Sequence, residues 1–136
     1  MNKSKIRPND YPFHHTAQTR WRDLDAFQHI NNAVFLSYFE DARISLFKRW
    51  NLQPHGKSII LAAVKVNYYK QLLHPAQFAI GQKVSRLGNT SFDIESTMFD
   101  NNNQIISDAI ITCVCFDFDK QIKQPVYDLI KNDFNK

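Results

Sequence analysis

The stretch "NAVFLSYFEDARISLFKRW", residues 32 to 50, is the part of the sequence that decides the fold. Its apolar residues recur at the spacing of an amphipathic α-helix, and three further apolar residues (Leu36, Phe47 and Trp50) widen the stripe. So wide an apolar surface predicts a helix that other structure largely encloses. The central stripe has four members: Phe35, Phe39, Ala42 and Leu46.

On both sides of this helix the sequence has the pattern of β-strands. A first strand is predicted over residues 13–22, and four more follow the helix, with turns at "GNTS" (88–91) and "NNN" (101–103). The later strands cover residues 58–70, 78–87, 91–99 and 104–118. Alternation in the first of these places five residues on one face: Ile60, Ala62, Val64, Val66 and Tyr68.

The order of these elements predicts an α+β fold in which one long central helix lies against a curved five-stranded antiparallel sheet. The core spans about residues 13–118 of a single domain, 1–136, because no linker, repeat or low-complexity tract divides the chain. Residues 119–136 are predicted to be a short tail or helix.

Composition excludes several classes of protein. Hydrophobic residues make up 43% of the chain, which favours a globular core over disorder. Seventeen basic against 13 acidic residues give a net charge of +4, but the basic residues are scattered, so we expect no nucleic-acid partner. The N-terminal segment has no apolar targeting region, and no run approaches the roughly 20 residues of a membrane span. We therefore expect a cytoplasmic protein.

The two cysteines, Cys113 and Cys115, lie two residues apart in an apolar run. On a strand they would share one face, which suits buried thiols better than a disulfide. No further ligands stand near them at a spacing that suits zinc, so no metal or other cofactor is expected.

Polar residues concentrate in "DLDAFQHINNAVF" (23–35), just before and at the start of the helix. A solvated loop is the ordinary interpretation of such a stretch. The string D-x-D-x-x-x-H-x-N-N-x-x-F, followed by "EDAR" (40–43), nevertheless resembles the signature of the hot-dog fold acyl-CoA thioesterases of the 4-hydroxybenzoyl-CoA thioesterase group. The "HINN" core is also similar to the plant acyl-carrier-protein thioesterases. Further similarity lies in "VKVNYYKQLLHPAQF" (64–78) and "VSRLGNTSFDIE" (84–95).

The resemblance implies roles for four residues. Asp25 matches the carboxylate that acts as nucleophile or as general base on water, and Asn32 opens the helix whose backbone N–H polarises the thioester carbonyl. His29 matches the histidine of the carrier-protein enzymes, and Glu40 matches a helix glutamate that some members use as catalytic acid or base. The sequence departs from the pattern in two places, since Phe27 stands where the plant enzymes carry a catalytic asparagine and "LLHPAQ" (72–77) replaces the usual glycine–aspartate turn.

The same chemistry follows from elementary considerations. A helix N-terminus offers unpaired N–H groups and about half a positive charge, so it favours an oxygen that gains negative charge. Asp25 precedes Asn32 by seven residues and can lie across the carbonyl carbon from those donors. Because a thiolate is a good leaving group, strong acid assistance is not essential.

Each assignment has a structural alternative. Asp25 would otherwise be a turn residue, His29 a plain loop histidine, and Glu40 the partner of Arg43 in a helical salt bridge. Asp23 is expected to be structural, and Asn31 and Asn32 are helix-capping residues that also suit the oxyanion site. For substrate binding we predict Asn31 together with residues at the "GNTS" turn: Arg86, Asn89, Thr90 and Ser91.

These observations predict an acyl-CoA thioesterase that needs no cofactor. The alternatives are an acyl-carrier-protein thioesterase, a hot-dog hydratase or dehydratase, and a non-catalytic acyl-CoA-binding protein. The carboxylate at position 25 followed by "HINN" argues against the hydratase. Long strands at the sheet edge predict a homodimer or a tetramer of dimers, with each site shared between subunits.

Overall fold

The computed structural model describes residues 6–134 and residue 136, so the first five residues of the predicted domain and of its N-terminal segment lie outside the described part. The described chain forms one long helix, one short helix and six strands. The strands are β1 (Phe13–Gln18), β2 (Lys57–Tyr68), β3 (Gln77–Leu87), β4 (Ser91–Phe99), β5 (Ile105–Asp117) and β6 (Ile122–Lys123). The helices are α1 (Asn32–Arg49) and α2 (Asp128–Asp133).

The sheet is antiparallel throughout, with the order β1-β3-β4-β5-β2, and β6 adds a short pairing to β5. Strands β1 and β2 are therefore the two edges. The predicted helix over residues 32–50 and the four later strands are confirmed, and so is a short C-terminal helix. The two-residue strand β6 was not predicted, because a pair of residues carries no periodicity.

Helix α1 buries the predicted stripe against the sheet, and Phe35, Phe39, Ala42 and Leu46 are almost fully buried. Trp50 is buried where the helix ends, as expected. The prediction that the helix is enclosed holds on one flank only, since Leu36 is 43% and Ile44 is 42% exposed.

The first strand is shorter than predicted, because it ends at Gln18 rather than near residue 22. Thr19 makes the last main-chain bond to the β3 side, from its N–H to the carbonyl of Ala76 at 2.9 Å. Beyond it, Trp21–Asp23 forms a 3-10 turn. The side chain of Asp23 anchors this turn. The alternation of apolar residues in the sequence does not indicate that the strand ends here.

Strand β2 contains a bulge. Leu61 lies opposite Cys113 and Ala63 lies opposite Thr112, so Ala62 is an extra residue in the ladder with β5. The bulge shifts the alternation by one residue, and the predicted placement of Ile60 on the same face as Val64 is wrong for this reason. The residues of β2 that share a face with the buried residues of β5 are Ile59, Leu61, Val64, Val66 and Tyr68.

Both cysteines are free and buried on one face of β5, as predicted. Burial raises the pKa of the Cys113 thiol to about 12 and also raises the pKa of Cys115. Both therefore stay protonated, unreactive thiols at neutral pH. None of the helices in the described residues has the length and apolar character needed to cross a membrane.

Candidate active site

The buried residue Asp23 anchors the loop between β1 and α1. Its carboxylate accepts two hydrogen bonds from Arg20, at 2.9 and 3.1 Å, and one from the hydroxyl of Tyr38 at 2.7 Å. The Arg20 hydrogen bond is the main reason why the pKa of Asp23 is lowered. Its main-chain carbonyl accepts from the N–H of Asn31 at 3.0 Å. Asp23 is structural, as predicted, and it joins the start of the loop to the start of α1.

Asp25, two residues after Asp23, begins a tight turn that its side chain stabilises. Its Oδ1 accepts from the N–H of Phe27 at 2.8 Å and from the N–H of His29 at 3.2 Å. Its own N–H donates to the carbonyl of His29 at 2.8 Å, and Gln28 takes a left-handed backbone conformation, with φ of 67°. Within the described residues, the second carboxylate oxygen, Oδ2, has no hydrogen-bond partner.

The turn between β4 and β5 repeats this geometry. Asp100 Oδ1 accepts from the N–H groups two and four residues later, its N–H donates to the carbonyl of Gln104, and Asn103 has φ of 61°. The difference lies at the other oxygen, because Asp100 Oδ2 accepts from the ammonium of Lys70. A turn of this kind uses only one carboxylate oxygen, and Asp25 keeps the other available.

The first turn of α1 leaves one amide available beside Asp25. Asn31 is the N-cap, whose Oδ1 accepts from the N–H of Ala33 at 2.9 Å, and its carbonyl accepts from Val34 at 2.9 Å. For the N–H of Asn32, by contrast, the described part of the chain provides no acceptor. An unpaired N–H at a helix N-terminus binds an oxygen that gains negative charge.

A cleft of about 520 Å³ brings these groups together. The loop forms one side of it and is held there by a 2.8 Å bond from the N–H of Ile30 to the carbonyl of Leu72. No described residue makes a hydrogen bond to the imidazole of His29. Six of the lining residues are Asp25, His29, Asn31, Asn32, Phe35 and Tyr68. An unused carboxylate oxygen and an unused amide donor on two residues that line one cleft suit attack on a carbonyl group.

Glu40 does not lie in this cleft. It is exposed on α1, eight residues and therefore about 12 Å along the axis from Asn32. The alternative salt bridge is wrong as well, because Arg43 turns inward and is only 4% exposed, with no described carboxylate within salt-bridge distance. The Nε of Arg43 is buried and has no hydrogen-bond partner among the described residues. Burial lowers the pKa of this guanidinium.

The predicted substrate-binding residues of the "GNTS" turn lie at the opposite end of the sheet from Asp25. Gln77, at the start of β3, pairs with the end of β1 beside the loop, whereas Arg86 lies nine residues further along, roughly 30 Å away. Arg86 donates to both oxygens of Asp93 and to Ser91. A single chain therefore does not bring Arg86, Asn89, Thr90 and Ser91 to the cleft.

The sequence-based reasoning missed Tyr68 as a site residue. It assigned Tyr68 only to a strand face, yet its hydroxyl donates to the carbonyl of Asn32 at 2.9 Å and its ring stacks on Phe35. Tyr68 and Asn32 are 36 positions apart, so no local pattern connects them.

The chain belongs to the thioesterase-like superfamily, whose family model matches residues 19–133. This confirms the family resemblance that the motifs predicted. The long-chain acyl-CoA thioesterase FadM of Escherichia coli (strain K12) is 26% identical over 110 residues, covering 76% of this chain and 83% of FadM. The uncharacterized protein YsmA of Bacillus subtilis (strain 168) is 29% identical over 86 residues. That match covers 62% of this chain and spans only 58% of the length of YsmA.

Among solved structures, a thioesterase from Thermus thermophilus, complexed with coenzyme A and Zn, superimposes with a TM-score of 0.78. It is 27% identical, and the match covers 93% of this chain and 99% of that one. The similarity confirms the predicted hot-dog fold, with one long helix against a curved antiparallel sheet.

Proposed function

We propose that this protein hydrolyses acyl-CoA thioesters to a free acid and coenzyme A. Family membership, the similarity to FadM and the coenzyme A complex of the Thermus relative support this substrate class. The observation that carries the proposal is the pairing of two unused groups in one cleft, the Oδ2 of Asp25 and the N–H of Asn32. Acyl-CoA as the substrate also supports the cytoplasmic location expected from the sequence.

In the proposed reaction the thioester carbonyl oxygen accepts from the N–H of Asn32. Asp25 Oδ2 then removes a proton from a water that attacks the carbonyl carbon, and this proton passes to the departing thiolate. Alternatively, Oδ2 attacks the carbon itself and the thiolate leaves; water then hydrolyses the resulting mixed anhydride, which releases the acid, restores Asp25 and supplies the proton for the thiol. The oxygen gains negative charge beside the helix N-terminus, which stabilises it. The C–S bond breaks, the carboxylic acid forms, and the departing thiolate is protonated to coenzyme A. His29, beside Asp25, orients the acyl group or the water.

The proposed active unit is a homodimer, or a tetramer of two dimers, joined through the β2 edge. This edge carries unpaired main-chain groups and exposed apolar side chains, with Val64 at 44% and Tyr68 at 42% exposure. Leu36 and Ile44 add an uncovered apolar flank on α1. A second copy of the chain covers both features at once in an isologous contact of ~2,000 Å² or more.

Antiparallel pairing of two β2 strands would also complete the substrate site. It sets the Lys57 end of one copy beside the Tyr68 end of the other, and the "GNTS" turn lies at the Lys57 end, where the N–H of Cys115 donates to the carbonyl of Thr90. The partner's turn then approaches the cleft of the first copy. Its Arg86, whose Nη1 donates to no described residue, could bind a phosphate of coenzyme A, together with Asn89, Thr90 and Ser91.

The test is thiol release from a panel of acyl-CoAs of different chain length, including aromatic ones, with wild type and two matched variants. Asp25→Asn keeps the oxygen that closes the turn but removes the charged base, so kcat should fall by roughly 10²–10⁴ with KM little changed. Asp100→Asn changes the twin turn, whose carboxylate does not line the cleft but contacts the lining residue Lys70, and it should lower kcat far less than Asp25→Asn does.

Three results would contradict parts of this proposal. Near-full kcat for Asp25→Asn would remove Asp25 from the mechanism. Tight acyl-CoA binding with no thiol release by wild type would make the protein a binding module. Faster release from acyl carrier protein than from coenzyme A, with the same acyl chain, would assign the other carrier.

A further inference from the structure

Tyr68 connects the edge strand β2 to the first turn of α1. Its hydroxyl donates to the main-chain carbonyl of Asn32 at 2.9 Å. Its ring stacks on that of Phe35, with centroids 5.3 Å apart and planes 26° from parallel, and Phe35 is buried. Tyr68 therefore holds the start of the helix in two ways, by a hydrogen bond and by ring packing.

The carbonyl that Tyr68 contacts belongs to the residue whose N–H is unused. The N-cap Asn31 restrains the chain before Asn32 through the bond between its own N–H and the carbonyl of Asp23. The side chain of Asn32 makes no hydrogen bond to the described residues. The carbonyl of Asn32 accepts a hydrogen bond from the Tyr68 hydroxyl. Among the described residues outside the helix, Tyr68 alone bonds to a main-chain polar atom of Asn32.

We propose that Tyr68 is a positioning residue that fixes the direction of the Asn32 N–H toward the substrate oxygen. This inference rests on the proposed function, in which that N–H stabilises the oxyanion. Such donors act by being held in place before the reaction, so a displacement of about 1 Å is enough to lower the rate substantially. The alternative role for Tyr68, a wall that contacts the acyl group, would act on substrate affinity instead.

Tyr68→Phe separates these roles, because it keeps the ring and its stacking on Phe35 and removes only the hydroxyl. We expect kcat to fall roughly tenfold, with KM within about twofold of wild type. Tyr127→Phe is the matched control. The Tyr127 hydroxyl also donates to a β2 carbonyl, that of Ser58 at 2.8 Å, but at the other end of the strand. It should lower thermal stability and leave kcat unchanged.

A second measurement does not depend on activity. In the substrate-free protein, the backbone amide resonance of Asn32 should shift in Tyr68→Phe and stay in place in Tyr127→Phe. An unchanged kcat in Tyr68→Phe, a change in KM alone, or an unmoved Asn32 amide would each overturn the proposal. If wild type releases no thiol from any acyl-CoA, the proposed function fails, and the position of the Asn32 amide alone decides whether Tyr68 fixes it.

Discussion

The hydroxyl of Tyr38, on the buried face of α1, donates to the carboxylate of Asp23 at 2.7 Å. Because the carbonyl of Asp23 accepts from Asn31, this contact holds the loop between β1 and α1 on the helix that it precedes. Tyr38→Phe would leave a buried carboxylate with Arg20 as its only side-chain partner among the described residues. We expect the variant to lose about 1–2 kcal/mol of unfolding free energy.

The same variant should lower kcat less than Asp25→Asn does, since Asp25 itself remains. Urea denaturation and thiol-release kinetics on one preparation give both quantities. If Tyr38→Phe were as stable as wild type, the loop would be anchored by Arg20 alone.

Glu40→Gln tests whether Glu40 is a second catalytic carboxylate, as the family resemblance implies. Glu40 is exposed, lies outside the cleft of its own chain and makes no ion pair with Arg43. We expect less than a tenfold change in kcat and only a few tenths of a kcal/mol in stability. Asp41→Asn, at the next exposed helix position, is the control. A folded Glu40→Gln protein without turnover would show that Glu40 reaches the cleft of a partner subunit.

Mixed dimers test whether the site is shared. Asp25→Asn and a double variant, Arg86→Ala with Thr90→Ala, should each be nearly inactive at low substrate concentration. After an equal mixture has exchanged subunits, half of the dimers hold one intact site, and activity should reach roughly a quarter of wild type. Light scattering should give twice the chain mass of 16.0 kDa, or four times for a tetramer.

An activity that stays at the mean of the two parents would place each complete site within one chain. A monomer with full activity would also remove the proposed interface.

Asp133 predicts how stability depends on pH. This buried carboxylate accepts from Arg49 at 2.8 and 2.9 Å and from the indole N–H of Trp50 at 2.7 Å. The hydrogen bond from Arg49 is the main cause that lowers its pKa from 3.8 to about 2. A carboxyl whose pKa is lowered by folding stabilises the protein above its unfolded pKa, here by about 2 kcal/mol.

That contribution should disappear as the pH falls from about 4 to about 2. Asp133→Asn should therefore be less stable than wild type at neutral pH, and the difference should shrink across this acid range. Denaturant unfolding at several pH values measures it, with Asp119→Asn on an exposed turn as the control. A difference that stays constant down to pH 2 would contradict the role of ionisation at Asp133.

The fold was predictable because its signals are local. The spacing of apolar residues from Phe35 to Leu46 predicts a helix, and the patterns of β3 to β5 predict strands, without reference to the rest of the chain. What could not be predicted depends on contacts between distant positions. The burial of Arg43 and the link from Tyr68 to Asn32 arise only when the sheet curves around the helix.

The residues of the candidate site that are close together in the sequence were predictable for the same reason, that their signals are local. Asp25, His29, Asn31 and Asn32 are close in sequence, so the loop alone brings them together. The chemistry of the turn alone does not distinguish Asp25 from Asp100, however, since both begin turns of the same hydrogen-bonding pattern; in the sequence, only the motif around Asp25 sets it apart. Only the position of Lys70 in space shows which carboxylate oxygen is in use.

The bulge at Ala62 gives strand β2 one residue more than its neighbour requires. Loss of a single residue at position 62 or 63 would restore a regular ladder and leave Leu61, Val64 and Tyr68 on their present face. Loss of Lys65 would instead move the second half of the strand out of phase with the first. We therefore expect a change in the length of this strand to be tolerated at the bulge and to be disruptive between the bulge and Tyr68.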